Sequence, residues 1–255
     1  MFTFFRNWRD RRIIQRSKIT PTQWDTAFAA VPLLQGLTYN EKQTLRELAM
    51  VFLHRKVLEG AKGLVITPSM ALLIALQACL PVLKLGLESY DGWYSVIVYP
   101  SSFFPKRVVT DEYGVAHYEQ SHLTGEAWEQ GPVILSWDDT EFAGIIDGHN
   151  LVIHEFAHKL DMQNGQANGF PPLHKDMDHD AWVAAMSAGF SDIQHRCEND
   201  INIDIDCYAA TSPAEFFAVL SEVFFEYPAV IQQRYPAIYT QLCQYYRQNP
   251  IARLG

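Results

Sequence analysis

Residues Leu151–Asp161 constrain this chain more than any other stretch, because they combine an almost unbroken apolar helix signal with two imidazoles and a carboxylate. Leu151, Val152, Ile153, Phe156, Ala157 and Leu160 supply the apolar character, and no proline or glycine falls between Asn150 and Asp161, so an α-helix is predicted. His154 and His158 stand four residues apart. That spacing puts both rings on one helix face, where they can reach a single ion. Glu155 stays free to touch a water at that ion. Burying these groups is costly unless something compensates them, and a metal does so. The pattern points to the His-Glu-x-x-His arrangement of zinc hydrolases, although two histidines at this spacing can also be ordinary hydrogen-bonded helix residues.

The chain has 255 residues, 48% hydrophobic and 13% aromatic, enough for a substantial core built as one large domain or two subdomains sharing a cleft. A formal net charge of −9 argues against a general affinity for nucleic-acid backbones and leaves a peptide or protein partner. Cys79, Cys197, Cys207 and Cys243 show no Cys-x-x-Cys spacing, so neither a thiolate zinc site nor a disulfide framework is expected, and free thiols in a reducing compartment fit. The amino terminus carries charges too early for a secretory signal, so no export is expected and the chain is placed in the cytoplasm. Phe2, Phe4, Phe5 and Trp8 alternate there with Arg6, Arg9, Arg11, Arg12 and Arg16. Such a segment lies on a membrane surface, packs its aromatics on the domain as a terminal helix, or forms a mobile tail. The longest apolar run, Met70–Leu83, contains Gln77 and Pro81. It reads as a buried helix capped near Ser69 and not as a transmembrane span.

Helices are expected from Thr22 to Ala30 and, behind a capping box at Thr38 to Glu41, up to about Glu59, where Gly60 and Gly63 end the run. Leu64–Ile66 reads as a short strand, and further strands are expected at Trp93–Tyr99, Arg107–Asp111, Val115–Gln120 and Val133–Trp137. Asp111–Gly114 has hairpin-turn chemistry. Pro132–Trp137 alternates as an edge strand, where an extended peptide could add by main-chain hydrogen bonds. After Thr140 the chain is helical again apart from a loop at about Gly165–Lys175.

Zinc held by two histidines needs a third protein ligand. A metzincin would have glycine and histidine at 161 and 164, where this chain has Asp161 and Asn164, so that class is disfavoured. Candidates downstream are His174, Asp176, Asp178, His179, Glu215 and Glu222. Glu215 sits in the first turn of a helix begun by Ser212 and Pro213, but Ser212-x-x-Glu215 is also a capping box, and periodicity does not choose between ligand and cap. Asp200–Asp206 alternates carboxylates without the glycine and glutamate of a calcium loop and reads as a loop leading to Tyr208. His117, His122, His149 and His195 match no ligand pattern. Phe216, Phe217, Phe224, Phe225 and Tyr227 read as core.

Gly148-His-Asn-Leu-Val-Ile-His-Glu-Phe-Ala-His-Lys-Leu-Asp161 together with Tyr208-Ala-Ala-Thr-Ser-Pro-Ala-Glu215 resembles the Mlc titration factor A (MtfA) family of bacterial zinc metallopeptidases. The likeness runs along most of the chain, including Gly131–Trp137; the two motifs alone also resemble the catalytic domain of anthrax lethal factor. The resemblance implies that His154, His158 and Glu215 bind one zinc ion in the gluzincin manner, that Glu155 is the general base, and that Tyr208 steadies the developing oxyanion. Lethal factor has an acidic residue four positions after its ligand glutamate where this chain has Val219, which leaves Asp161 and Glu222 as candidate partners behind the ligands.

The expected fold is therefore α+β and gluzincin-like. A basic, aromatic segment at 1–20 precedes one metallopeptidase domain at 21–255, with a helix and small-mixed-sheet half to about 140, the motif helix on the cleft floor, and a mainly helical half from about 141. Two function classes remain. One is a cytoplasmic zinc peptidase, aminopeptidase-like on short peptides. The other is a non-catalytic regulatory protein that uses a zinc-stabilised fold to sequester a transcriptional repressor of the Mlc kind, as the resemblance implies, and so acts on glucose uptake.

Overall fold

The computed structural model describes residues 2–101, 107–110, 116–119, 131–142, 146–201 and 204–254. The expected turn at Asp111–Gly114, His122, and the side chains of Phe2, Phe4, Phe5, Arg6 and His117 lie outside the described residues.

The chain opens with helices α1 (Phe2–Arg16), α2 (Pro21–Ala29) and α3 (Tyr39–Arg55). Thr20 and Thr38 each close a capping box, with Gln23 and Glu41 respectively, which satisfies the orphan amides at both helix starts. Ile13 and Ile14 of α1 pack on the core, and both carboxylate oxygens of Asp10 accept from Arg55 Nη2, at 2.6 and 2.8 Å. The first segment is thus a docked helix, with Trp8 about half exposed (51%).

Strand β1 (Val57–Gly60) follows α3 directly, where helix was expected to continue. The reason is Lys56: its backbone turns extended at φ −108° and ψ 141°, and its buried ammonium donates to the carbonyls of Tyr90 and Trp93. This pulls the chain alongside β2 (Ser95–Tyr99). Leu64–Ile66, expected as a strand, is irregular, because the tight turn through Lys62 and Gly63, both at positive φ, carries it off the sheet. Helix α4 (Pro68–Cys79) starts on a Thr67 cap with Pro68 in its first turn, two residues ahead of the cap expected at Ser69.

The sheet is not mixed. Strands β1, β2 and β5 (Val133–Ser136) form an all-parallel sheet in the order β1-β2-β5, while β3 (Arg107–Thr110) and β4 (Ala116–Glu119) form a separate antiparallel pair. Val96, Val98, Val133 and Leu135 are buried, so the sheet rests on the core, and β5 occupies one edge. Helix α5 (Trp137–Phe142) leads to α6 (Leu151–Asp161), which carries the histidine motif. Beyond it come α7 (His179–Glu198), α8 (Pro213–Glu226), α9 (Pro228–Arg234), α10 (Pro236–Tyr246) and α11 (Ile251–Leu254). The aromatic residues of α8 behave as core: Phe216, Phe217, Phe224 and Phe225 are buried beside Trp182, Tyr245 and Tyr246, whereas Tyr227 is exposed.

One cysteine expectation is overturned. Cys197 and Cys207 form a disulfide with Cα atoms 5.7 Å apart, whereas Cys79 and Cys243 are free. The spacing carries no signature; the pair meets because a short 3-10 helix at Cys207–Ala210 packs against the end of α7. No described helix is long and apolar enough to cross a membrane.

Candidate metal centre

The site is built where α6 lies across α8. Asn150 starts α6, its side-chain oxygen accepting from the Ile153 amide at 3.0 Å. Phe156 anchors the opposite side of the helix in a cluster of rings, with centroids 5.6 Å from Phe52, 5.1 Å from Tyr90 and 5.6 Å from Trp93. Lys159 donates to the Gly131 carbonyl at 2.9 Å and so ties α6 to the start of edge strand β5. With Phe156 fixed inward, the helix turns His154 and His158 toward α8.

There they meet Glu215. His154 Nε2 lies 3.0 Å and His158 Nε2 3.2 Å from Glu215 Oε2, and the two Nε2 atoms are 3.2 Å apart. Ser212 caps α8 by accepting from the Glu215 amide at 3.2 Å, yet the carboxylate does not fold back. Main chain and side chain of Glu215 serve separate purposes: the amide takes part in the cap while the carboxylate faces the two histidines. Of the other candidates, His174 bonds the Tyr245 carbonyl, Asp176 pairs with Arg247, Asp178 caps α7, and His179 in the first turn of that helix lies against the Phe170 ring. None of these joins the cluster, and His154, His158 and Glu215 are the metal-competent group among the described residues.

The donor chemistry fits a cation. Glu222 Oε1, an acceptor only, lies 2.7 Å from His154 Nδ1, so Nδ1 carries the proton and the Nε2 lone pair of the neutral ring points into the site. That lone pair faces a second imidazole nitrogen and a carboxylate oxygen, which repel it unless a proton or metal ion sits between them. Tetrahedral coordination at bond lengths of about 2.0–2.1 Å separates ligand atoms by about 3.3 Å, close to the triangle found here. Burial would raise the Glu215 carboxyl, but hydrogen bonds from both histidines outweigh it and bring it down to about 2. Protonation is the other way to relieve that repulsion: burial would lower His154, but hydrogen bonds to Glu215 and Glu222 carry it well above its ordinary value.

Glu155 stands apart. It is fully buried, and neither carboxylate oxygen has a hydrogen-bond partner among the described residues. Burial raises its pKa, as expected for a group poised to accept a proton. Tyr208 flanks the cluster from the 3-10 helix, its ring centroid 6.0 Å from that of His154.

The carboxylates behind the cluster divide the work. Asp161 Oδ2 accepts from the amides of Asn168 and Gly169 at 2.8 and 2.7 Å. Gly169 has φ +75° and packs so closely on Pro213 that an added Cβ would lie 2.3 Å from the proline carbonyl oxygen; the end of α6 is thereby set against the start of α8. Glu222 holds His154, and its second oxygen accepts from the Asn150 amide at 2.5 Å. Asn150 Nδ2 donates to Gln77 at 3.0 Å and Glu226 at 2.9 Å, and Glu226 also accepts from Gly148 at 3.1 Å. Asn150, Gln77 and Glu226 are site residues that the sequence reading does not single out. The available signals are a capping-type residue directly before the motif helix and a second glutamate one turn after Glu222.

Burial pushes Glu226 up to about 8, against the hydrogen bonds from Asn150 and Gly148, with Asp147 and Glu222 adding to the rise. A carboxyl whose folded pKa exceeds its unfolded value stabilises the fold fully below the unfolded pKa, and that stability is lost as pH rises to the folded value. The window here runs from 4.5 to about 8, and the effect is on the order of 5 kcal/mol. Thermal unfolding should show wild-type stability declining across this window and Glu226→Gln, which cannot ionise, declining much less; parallel curves would refute the assignment.

The comparisons agree with this geometry. Residues 5–247 match the family model described as glucose-regulated metallo-peptidase M90. Proteins named Mlc titration factor A from Yersinia pestis (strain Pestoides F) and Yersinia pseudotuberculosis serotype O:1b (strain IP 31758) are each 41% identical to this chain over 236 residues, covering 91% of it and 86% of their own length. Matched along nearly its whole length, with a metal-competent cluster at its centre, the chain belongs to the glucose-regulated metallo-peptidase family M90.

Proposed function

We propose that this protein is a zinc-dependent peptidase in which His154, His158 and Glu215 hold one zinc ion, Glu155 is the general base and Tyr208 stabilises the developing oxyanion. The observation that carries the proposal is the pairing of a tetrahedral-sized N,N,O donor triangle with a buried, partnerless carboxylate beside it. Zinc suits two imidazoles and one carboxylate, and it would supply Lewis acidity to a water and to the scissile carbonyl. Glu155 takes the proton of the attacking water and delivers it to the leaving amine. The phenol of Tyr208 donates a hydrogen bond that strengthens as the carbonyl oxygen gains charge. Glu222 holds His154 in the tautomer whose lone pair faces the ion.

The substrate in this reading is a short peptide lying along the edge of β5 that pairs with no strand among the described residues, with α6 on the floor of the cleft and residues 21–255 acting as one unit; cleavage is aminopeptidase-like. The name of the relatives, Mlc titration factor A, supports a second role in this reading, binding of an Mlc-like transcriptional repressor in the cytoplasm and hence regulation of glucose uptake. Metal analysis with cleavage of chromogenic amino-acid and short-peptide amides separates the two. Stoichiometric zinc with hydrolysis is expected; repressor capture without zinc or hydrolysis would leave only the regulatory role.

A further inference from the structure

We infer that helices α1 and α3 form a cationic groove that seats the protein on a membrane surface rich in anionic phospholipid. The groove has a volume of about 550 Å³. Ile13 and Ile19 line it from the amino-terminal side and Met50 and Leu53 from α3, and all four pack on the core. Arg9, Arg12 and Arg16 line the same groove; their spacing of three and seven residues places them on one face of α1. All three are exposed, and none is paired with a carboxylate among the described residues. Asp10, which lies between them in the sequence, is held by Arg55 of α3 instead. The whole chain has 20 lysines and arginines against 29 aspartates and glutamates, yet six of the basic residues and only Asp10 of the acidic ones fall within residues 1–20. Positive charge is thus gathered at α1 on a protein that is otherwise strongly acidic, so this face alone is drawn to an anionic surface.

The lining favours a phospholipid over other anions. A free phosphate makes no use of the apolar side chains beside the arginines. A phospholipid offers its phosphate to the guanidinium groups and an acyl chain to Ile13, Ile19, Met50 and Leu53. Trp8 is about half exposed, with the Arg12 guanidinium 4.4 Å from its ring centroid, and an indole of this kind settles at headgroup level. A stable protein interface engages about 20–30 residues on each side, far more than line this groove. Because Ile13, Ile14 and the Asp10–Arg55 pair already fix α1 to the domain, the helix meets the bilayer in place. The contact is peripheral, with headgroups along the arginines and an acyl chain drawn into the groove.

The test mixes the full chain with vesicles of phosphatidylglycerol and phosphatidylethanolamine, or of phosphatidylcholine alone, and measures the bound fraction by sedimentation. Binding to the anionic vesicles, weakening as salt is raised, and none to the neutral ones is expected. The combined Arg9→Gln, Arg12→Gln and Arg16→Gln variant should lower the partition coefficient on the order of a hundredfold, with its thermal unfolding unchanged because all three side chains are exposed. A second measurement leaves the arginines intact: phosphatidylglycerol brominated on its acyl chains should quench the fluorescence of the wild type more than that of Trp8→Phe. Failure to bind anionic vesicles, equal binding to neutral ones, wild-type binding by the triple variant, or equal quenching with and without Trp8 would each overturn the proposal. So would capture of inorganic phosphate or of dissolved polyglutamate in preference to vesicles, which would assign the groove to a free anion or to an acidic protein segment.

Discussion

Glu155→Gln is expected to retain its metal ion and to lose about three orders of magnitude or more in kcat. The two consequences separate because Glu155 is not one of the three donor residues, which converge on one another from His154, His158 and Glu215. An amide of the same size fills the same buried space, so the triangle stays intact. What disappears is the proton acceptor and its negative charge. Burial already raises the Glu155 carboxyl, so keeping it ionised in the fold has a cost that the neutral amide avoids; the variant should be at least as stable as wild type. Steady-state rates on a chromogenic peptide amide, zinc stoichiometry and thermal unfolding measured on one preparation give all three comparisons. Near-wild-type kcat in a zinc-loaded Glu155→Gln protein would sink the general-base assignment. Loss of zinc alongside activity would mean that the carboxylate helps hold the metal.

Much of this site is legible in the sequence, because its information is local. The histidine motif declares itself through helical spacing, and Ser212-Pro213 marks the start of α8 with the cap and proline that helix starts favour. The capping box at Thr38 likewise places the start of α3. Sequence reading fails where distant side chains decide. Val57–Gly60 leaves the helix because Lys56 reaches the carbonyls of Tyr90 and Trp93, more than thirty positions away. The same holds for the disulfide, whose partners meet only through packing of the 3-10 helix on α7. The expectation of a mixed sheet fails because β2 and β5 can be read locally while their pairing cannot: β1, β2 and β5 are separated by helices and long connections. Glu215 is the intermediate case. Its dual pattern is visible, but which group the carboxylate meets depends on α6, some sixty residues upstream.

The same distance dependence makes Glu222 the residue whose loss should be felt both by the fold and by the metal. One oxygen accepts from His154 Nδ1 at 2.7 Å and the other from the Asn150 amide at 2.5 Å; Asn150 in turn caps α6 and bonds Gln77 and Glu226. Glu222→Ala therefore strands two buried donors at once. At about 1–3 kcal/mol for each unsatisfied buried group, the metal-free protein should lose on the order of 2–6 kcal/mol. Separately, His154 loses the partner that fixes its tautomer and ring plane, so zinc affinity should fall about 10–100-fold. Glu222→Gln should lie between wild type and alanine, since one oxygen can still accept from His154 while the new amide group faces the Asn150 donor. Denaturant unfolding of the metal-free proteins measures the first loss, and competition with a chromophoric chelator measures the second. If stability falls while zinc affinity stays at the wild-type level, Glu222 anchors α6 without orienting the ligand, and Asp161, already bonded to the loop that sets α6 against α8, becomes the carboxylate that matters to the metal.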